Sequence, residues 1–155
     1  MQTLRYEYEN FLEDLHKVAQ MVPKDIEAIV AVARGGMTMA HMLGEFLGIR
    51  KIYLINAIGY EDTRKLQKPE IFNIPDLKEH EKILIVDDIS DTGDTLLAVT
   101  RLLKKSYPSK SFYTATLFYK ERSKFKPDFW AAEAKEWIEF FWSEDLKRYN
   151  NQKVC

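Results

Sequence analysis

Residues 83–95 read Ile-Leu-Ile-Val-Asp-Asp-Ile-Ser-Asp-Thr-Gly-Asp-Thr, and this stretch decides the fold. Ile83 to Val86 is short, mostly β-branched and apolar without interruption, the pattern of a strand buried on both faces of a parallel sheet. After Thr95 the apolar positions change to helical spacing: Leu96, Leu97, Val99, Leu102, Leu103. The polar residues between them therefore join the carboxyl end of a strand to the amino end of a helix, where open α/β sheets bind ligands.

The chemistry of the loop narrows the ligand. Hydroxyls and backbone amides at a helix start suit a phosphate, yet Asp87 and Asp88 would repel a bare one. A ligand with two kinds of group resolves the conflict. The carboxylates accept hydrogen bonds from sugar hydroxyls or hold a divalent cation, while Ser90, Thr92, Thr95 and the amides around Gly93 cradle a phosphate. Other readings of the same residues fare worse. A receiver domain carries its acidic pair near the chain start, a Walker B strand needs a G-x-x-x-x-G-K-[ST] that the chain lacks, and an EF-hand counted from Asp88 puts Val99 where a Glu is required. An ordinary acidic strand-to-helix turn accounts poorly for so many acids beside three hydroxyls.

Composition bounds the remainder. With 155 residues, 46% of them hydrophobic, the chain can bury one substantial core, and its length favours one domain over 1–155. A net charge of −1 gives no general attraction to nucleic acid or an anionic membrane, so a site for anions must be local. The single cysteine, Cys155, rules out an intrachain disulfide framework. The start lacks the apolar core of a signal peptide and no apolar stretch reaches the roughly 18 residues of a membrane span, so the expectation is a cytoplasmic protein.

Along the chain the elements alternate. Phe11, Leu12, Leu15, Val18, Ala19 and Val22 predict an amphipathic helix before Pro23. Ala28–Ala33 reads as a buried strand, and Met39, Met42, Leu43, Phe46 and Leu47 as the apolar positions of a second helix ended by Gly48. Lys51–Ile58 reads as a strand, 59–75 as a polar, weakly patterned segment, and Phe112–Tyr119 as an alternating strand followed by a Lys/Arg-rich turn. Residues 143–155 read as a polar tail. The second strand-to-helix loop, Arg34-Gly35-Gly36, combines close backbone approach with a guanidinium, again suited to an anion.

Residues 83–95 resemble the phosphoribosyl-diphosphate (PRPP) motif of type I phosphoribosyltransferases: apolar residues, two acids, then D-T-G-x-T. Ala31-Val-Ala-Arg-Gly-Gly36 resembles the pyrophosphate loop of their xanthine-guanine branch, a loop that often carries a strained or cis peptide. Lys120, and further on Trp137-Ile138, match the Lys and W-I pair that binds the base in 6-oxopurine enzymes. The physics agrees, since an ammonium donates to an exocyclic oxygen and an indole stacks on a flat base.

This resemblance, over roughly residues 25–142, implies a mainly parallel central sheet flanked by helices, with a small C-terminal hood, and transfer of 5-phosphoribosyl from PRPP to a purine with Mg²⁺. It implies that Asp87, Asp88, Ser90, Asp91, Thr92, Gly93, Asp94 and Thr95 bind the ribose and 5′-phosphate, Asp88 also the metal. Arg34, Gly35 and Gly36 would hold pyrophosphate, Lys120, Trp137 and Ile138 the base, and Asp91 would accept a purine proton. It further implies a homo-oligomer, dimer or tetramer, with no nucleic-acid partner. Departures are Gly59-Tyr60, where many purine enzymes have Ser-Tyr, and Asp94 in a slot often held by Gly. The 59–75 segment, with Arg64, Lys65 and Lys68, is expected to fold over the site. Two alternatives stay open: a related enzyme for another base, and a non-catalytic PRPP-binding regulator.

Overall fold

A computed structural model describes residues 2–61 and 64–153; Cys155 and positions 62 and 63 of the 59–75 segment lie outside these. The elements run β1 (Thr3–Tyr6), α1 (Tyr8–Met21), β2 (Ala28–Ala33), α2 (Met37–Leu47), β3 (Ile52–Glu61), β4 (Arg64–Phe72), β5 (Lys82–Ser90), α3 (Asp94–Ser106), β6 (Ser111–Tyr119), β7 (Phe129–Glu133), β8 (Trp137–Phe140) and α4 (Phe141–Lys153).

The main sheet has six strands in the order β4-β3-β2-β5-β6-β7. All its pairings are parallel except β3–β4. The uninterrupted apolar runs of β2 and β5 serve both faces, as such runs must in a covered parallel sheet. On one face Ile29, Ala31, Leu84 and Val86 pack with Phe11, Leu15 and Val18 of α1 and Met39 and Leu43 of α2. On the other, Ala28, Val30, Val32, Ile83 and Ile85 meet Leu96, Val99 and Leu103 of α3. Truncating one of these leucines to alanine would cost about 2–5 kcal/mol, so the central strands form a rigid base for the loops above. Gly48 ends α2 in the left-handed region, with φ 70°, where a side chain would be strained.

A second, two-stranded sheet pairs β1 with β8 in parallel, Leu4 opposite Ile138. The hood expected at the C-terminus is thus built from both ends of the chain. Tyr6 anchors it: its hydroxyl donates to Asp14 Oδ2 at 2.8 Å, and its ring meets Phe118 and Phe140 edge-on at 4.8 and 5.7 Å.

Two segments depart from the sequence reading. The weakly patterned 59–75 segment supplies the end of β3 and all of β4, an antiparallel strand whose Pro69 is tolerated because β4 is the edge of the sheet. The described part of the polar tail belongs to a helix over Phe141–Lys153, seated by Trp142, which stacks on Phe140 and meets Phe11 edge-on, and by Phe141, tilted against Phe11.

Candidate active site

β2 and β5 lie side by side, Ala31 opposite Val86, so their carboxyl ends deliver both anion loops to one spot. A Cβ on Gly35 would sit 2.9 Å from the carboxylate of Asp88, and one on Gly36 only 2.3 Å from the Val86 carbonyl oxygen. Gly36 is therefore required by the β5 backbone, and Gly35 packs against the Asp88 side chain. The peptide between Ala33 and Arg34 is cis, in keeping with the loop the sequence resembles.

Asp87 is buried and accepts a hydrogen bond from the Asp88 amide at 2.9 Å. Burial, and then the neighbouring Asp88 charge, push the Asp87 carboxyl well above the usual range; burial also raises Asp88. Two desolvated acids side by side call for a cation. Among the described residues no three or more His, Cys, Asp or Glu side chains are grouped to cage one. That donor set fits Mg²⁺, which takes one or two carboxylates and completes its shell with water and substrate phosphate.

The loop after Asp88 encloses a cavity of about 210 Å³ lined by Asp87, Asp88, Asp91, Thr92, Gly93 and Thr95 among others. Gly93 opens α3 with φ 86°, and a Cβ there would lie 2.5 Å from the Phe125 amide nitrogen. The 120–125 turn thus presses on the β5–α3 loop, and Lys124 N donates to Thr92 O at 2.9 Å. Ser90, at the end of β5, is 1% exposed and lines the same cavity, and its hydroxyl donates to the Phe125 carbonyl at 2.7 Å, so it also braces the turn.

Asp94, at the start of α3, is held by two lysines. Lys65 of β4 and Lys124 reach its two oxygens at 2.9 and 3.0 Å, and those two contacts, Lys65 first, draw its carboxyl down to about 2. The edge strand is thereby tied to the start of α3. Lys65, Gly59 and Pro69 face Thr92 and Thr95 across a narrow gap.

Beyond this loop, Asp91 Oδ1 is 3.0 Å from both Lys120 Nζ and Arg122 Nη2. Burial raises the Asp91 carboxyl, but hydrogen bonds from Lys120 and Arg122 outweigh it and leave the group below the usual range. Lys120 and Arg122 also border an open hollow of about 920 Å³ that runs to Trp137 in the hood. Trp137 is 53% exposed at the edge of that hollow. Ile138, expected with the base, turns the other way: it is 8% exposed and joins the core, because neighbours on a strand face opposite sides.

The structure thus brings Arg34–Gly36, Asp87, Asp88, Ser90–Thr95, Lys120 and Trp137 to one edge, with the Ser90 hydroxyl bonded to the 120–125 turn and the Ile138 side chain turned into the core. The sequence reading missed Arg122 and Lys124 as individuals. Their signal is the alternation Lys120-Glu-Arg-Ser-Lys124 at the carboxyl end of β6, the same sheet edge as the two loops.

Fold and site together define a phosphoribosyltransferase: the phosphoribosyl transferase domain model matches residues 7–148, and the chain belongs to this family. Among curated relatives, a xanthine-guanine phosphoribosyltransferase of Gluconobacter oxydans is 30% identical over 84% of this chain and 80% of its own. Among solved structures, the Helicobacter pylori xanthine-guanine-hypoxanthine phosphoribosyltransferase superposes with a TM-score of 0.88 at 42% identity, covering 97% of this chain and 99% of that one. A purine phosphoribosyltransferase from Pyrococcus horikoshii follows at 0.79 and 29% identity, over 92% and 95% of the two chains.

Proposed function

We propose that this chain is a purine salvage enzyme that transfers the 5-phosphoribosyl group of PRPP to a 6-oxopurine, releasing pyrophosphate, and that it works in the cytoplasm as a homodimer or homotetramer. The observation that carries the reading is the contact of the Arg34–Gly36 loop with Asp88, Gly35 meeting its carboxylate, at the mouth of the Asp91–Thr95 cradle. One site then offers a place for a diphosphate, two acids for sugar hydroxyls and metal, and a separate place for a monophosphate. The purine-specific names of the relatives support the choice of base.

In this reading Asp87 and Asp88 accept hydrogen bonds from the ribose hydroxyls, and Thr92, Thr95 and the loop amides hold the 5′-phosphate. Arg34 and the amides of Gly35 and Gly36 bind the pyrophosphate. Mg²⁺, held by Asp88 beside Asp87, supplies positive charge that offsets the diphosphate. Trp137 stacks on the purine and Lys120 donates to its six-position oxygen. Asp91 takes the N7 proton as N9 bonds to C1′ and the C1′–oxygen bond to pyrophosphate breaks with its electron pair. The β3–β4 hairpin covers the phosphate loop and excludes water from the activated sugar.

The test is turnover of PRPP with guanine, xanthine, hypoxanthine and adenine, followed by nucleotide and pyrophosphate release, with and without chelator. The 6-oxopurines react and chelation abolishes the reaction. Adenine is a poor substrate, since its amine leaves Lys120 unpaired, and such a mismatch is rejected by up to about 10⁴-fold. A preference for adenine or a pyrimidine, or undiminished turnover in excess chelator, would contradict the reading.

A further inference from the structure

The two cations on Asp91 are unequal. Lys120 and Arg122 each reach the same atom, Oδ1, at 3.0 Å. Among the described residues, no hydrogen bond or ion pair falls on Oδ2. The Lys120 side chain is 16% exposed and walled in, whereas that of Arg122 is 72% exposed and approaches from solvent. An ammonium has three donors, so a Lys120 that donates to a purine's six-position oxygen is shared between the base and Asp91. Arg122 is then the cation that serves Oδ1 alone.

We propose that Arg122 is a positioning residue: it pins Oδ1 of Asp91 so that Oδ2 faces the purine, and it keeps the carboxylate charged while Lys120 is shared with the substrate. The inference rests on the proposed function, in which Asp91 accepts the N7 proton. The N7–H bond breaks, the proton passes to Oδ2, and the electron pair stays on the ring, where it strengthens N9 as nucleophile. A second, fixed donor on Oδ1 leaves one oxygen for that proton.

The surroundings give Arg122 something to oppose. Asp87 and Asp88 line the same cavity as Asp91 from β5, and partial burial is what favours the protonated form of Asp91. Against burial stand Lys120 and Arg122, both on the turn after β6. With Lys120 shared with the base and Arg122 removed, burial is opposed by one divided cation in place of two and the Asp91 carboxyl titrates at higher pH. The enzyme needs Asp91 ionised, so the acid limb of its rate profile moves upward in pH.

The experiment compares the full chain with Arg122→Ala and Arg122→Lys, measuring kcat and the Michaelis constants for PRPP and hypoxanthine from pH 5 to 9, with circular dichroism to verify folding. Arg122→Ala lowers kcat about tenfold, a fraction of the 10²–10⁴ that a positioned base supplies. It shifts the acid limb upward and leaves the PRPP constant within about twofold. Arg122→Lys restores most of the rate and the limb. An unshifted acid limb in Arg122→Ala, or a parallel loss of rate and PRPP affinity that lysine does not rescue, overturns the inference while the transfer reaction stands. Wild-type protein that makes no nucleotide overturns the underlying reading, and this inference with it.

Discussion

The two strand-to-helix loops sit side by side on one sheet edge and work by opposite means. The β5–α3 loop acts through side chains: acids at Asp87 and Asp88, hydroxyls at Thr92 and Thr95, a paired carboxylate at Asp94. The β2–α2 loop acts by having almost none, since Gly35 and Gly36 lie so close to β5 that a methyl group would collide with it. The difference teaches that the shape of this edge depends on removed atoms as much as on charge: the carboxylates of the acidic loop keep their place only because the neighbouring glycines make room.

The comparison breaks most readily at the glycines. Gly36→Ala puts a Cβ 2.3 Å from the Val86 carbonyl oxygen, and backbone cannot step aside. The expected result is loss of folded protein, a destabilisation above about 4 kcal/mol, read as a collapsed melting transition. Gly35→Ala meets only the Asp88 side chain, which can rotate, so that variant folds but binds metal and PRPP poorly. Equal behaviour of the two variants would dissolve the distinction between a backbone and a carboxylate contact.

Next in size is the pair of acids. Asp87→Asn with Asp88→Asn should lower PRPP turnover by about 10²-fold or more, the scale of one lost electrostatic contact to the reacting group. Stability should move the other way. An acid whose folded-state pKa is raised costs stability as pH climbs from its unfolded value through the folded one, so at neutral pH each of these charges works against the fold. Relief of about 1 kcal/mol would raise the melting temperature by about 2–4 °C, which a melt at pH 7 without metal would detect. A variant both slower and less stable would mean that the carboxylates serve the fold.

The smallest expected effect lies furthest from both loops. Trp137→Ala should weaken every accepted purine by about 1–3 kcal/mol through lost stacking, seen as a higher Michaelis constant for the base at unchanged PRPP affinity. A loss confined to one purine would point to a polar contact there and sharpen the division between phosphate loops and hood.

Most of the main sheet and both loops were legible in the sequence, because each depends on neighbours along the chain. An apolar run ending in Asp87-Asp88, and another ending in Arg34-Gly35-Gly36, state a buried strand and a ligand-facing turn without reference to anything distant. What was hidden depends on partners far away in sequence. β4 carries Lys, Gln, Glu and Pro on a solvent-washed edge and is a strand only because β3 offers hydrogen bonds. β1 has four residues and gains its pairing from β8, more than a hundred positions later. The orientation of Ser90 follows from the 120–125 turn folding against it, and Ile138 turns inward because Trp137 turns out. The pairing of Asp94 with Lys65 and Lys124 joins three elements, which no local pattern can announce.

The central claim is that the acidic, hydroxyl-lined loop holds the 5′-phosphate and the glycine loop the pyrophosphate. A crystal structure with a purine 5′-nucleotide and Mg²⁺-pyrophosphate tests it most directly. The account predicts the 5′-phosphate within hydrogen-bond distance of Thr92, Thr95 and the amides of Asp91–Thr95, with pyrophosphate against Arg34, Gly35 and Gly36. A 5′-phosphate seated on Arg34–Gly36, with the Asp91–Thr95 cradle taking the pyrophosphate, would contradict it.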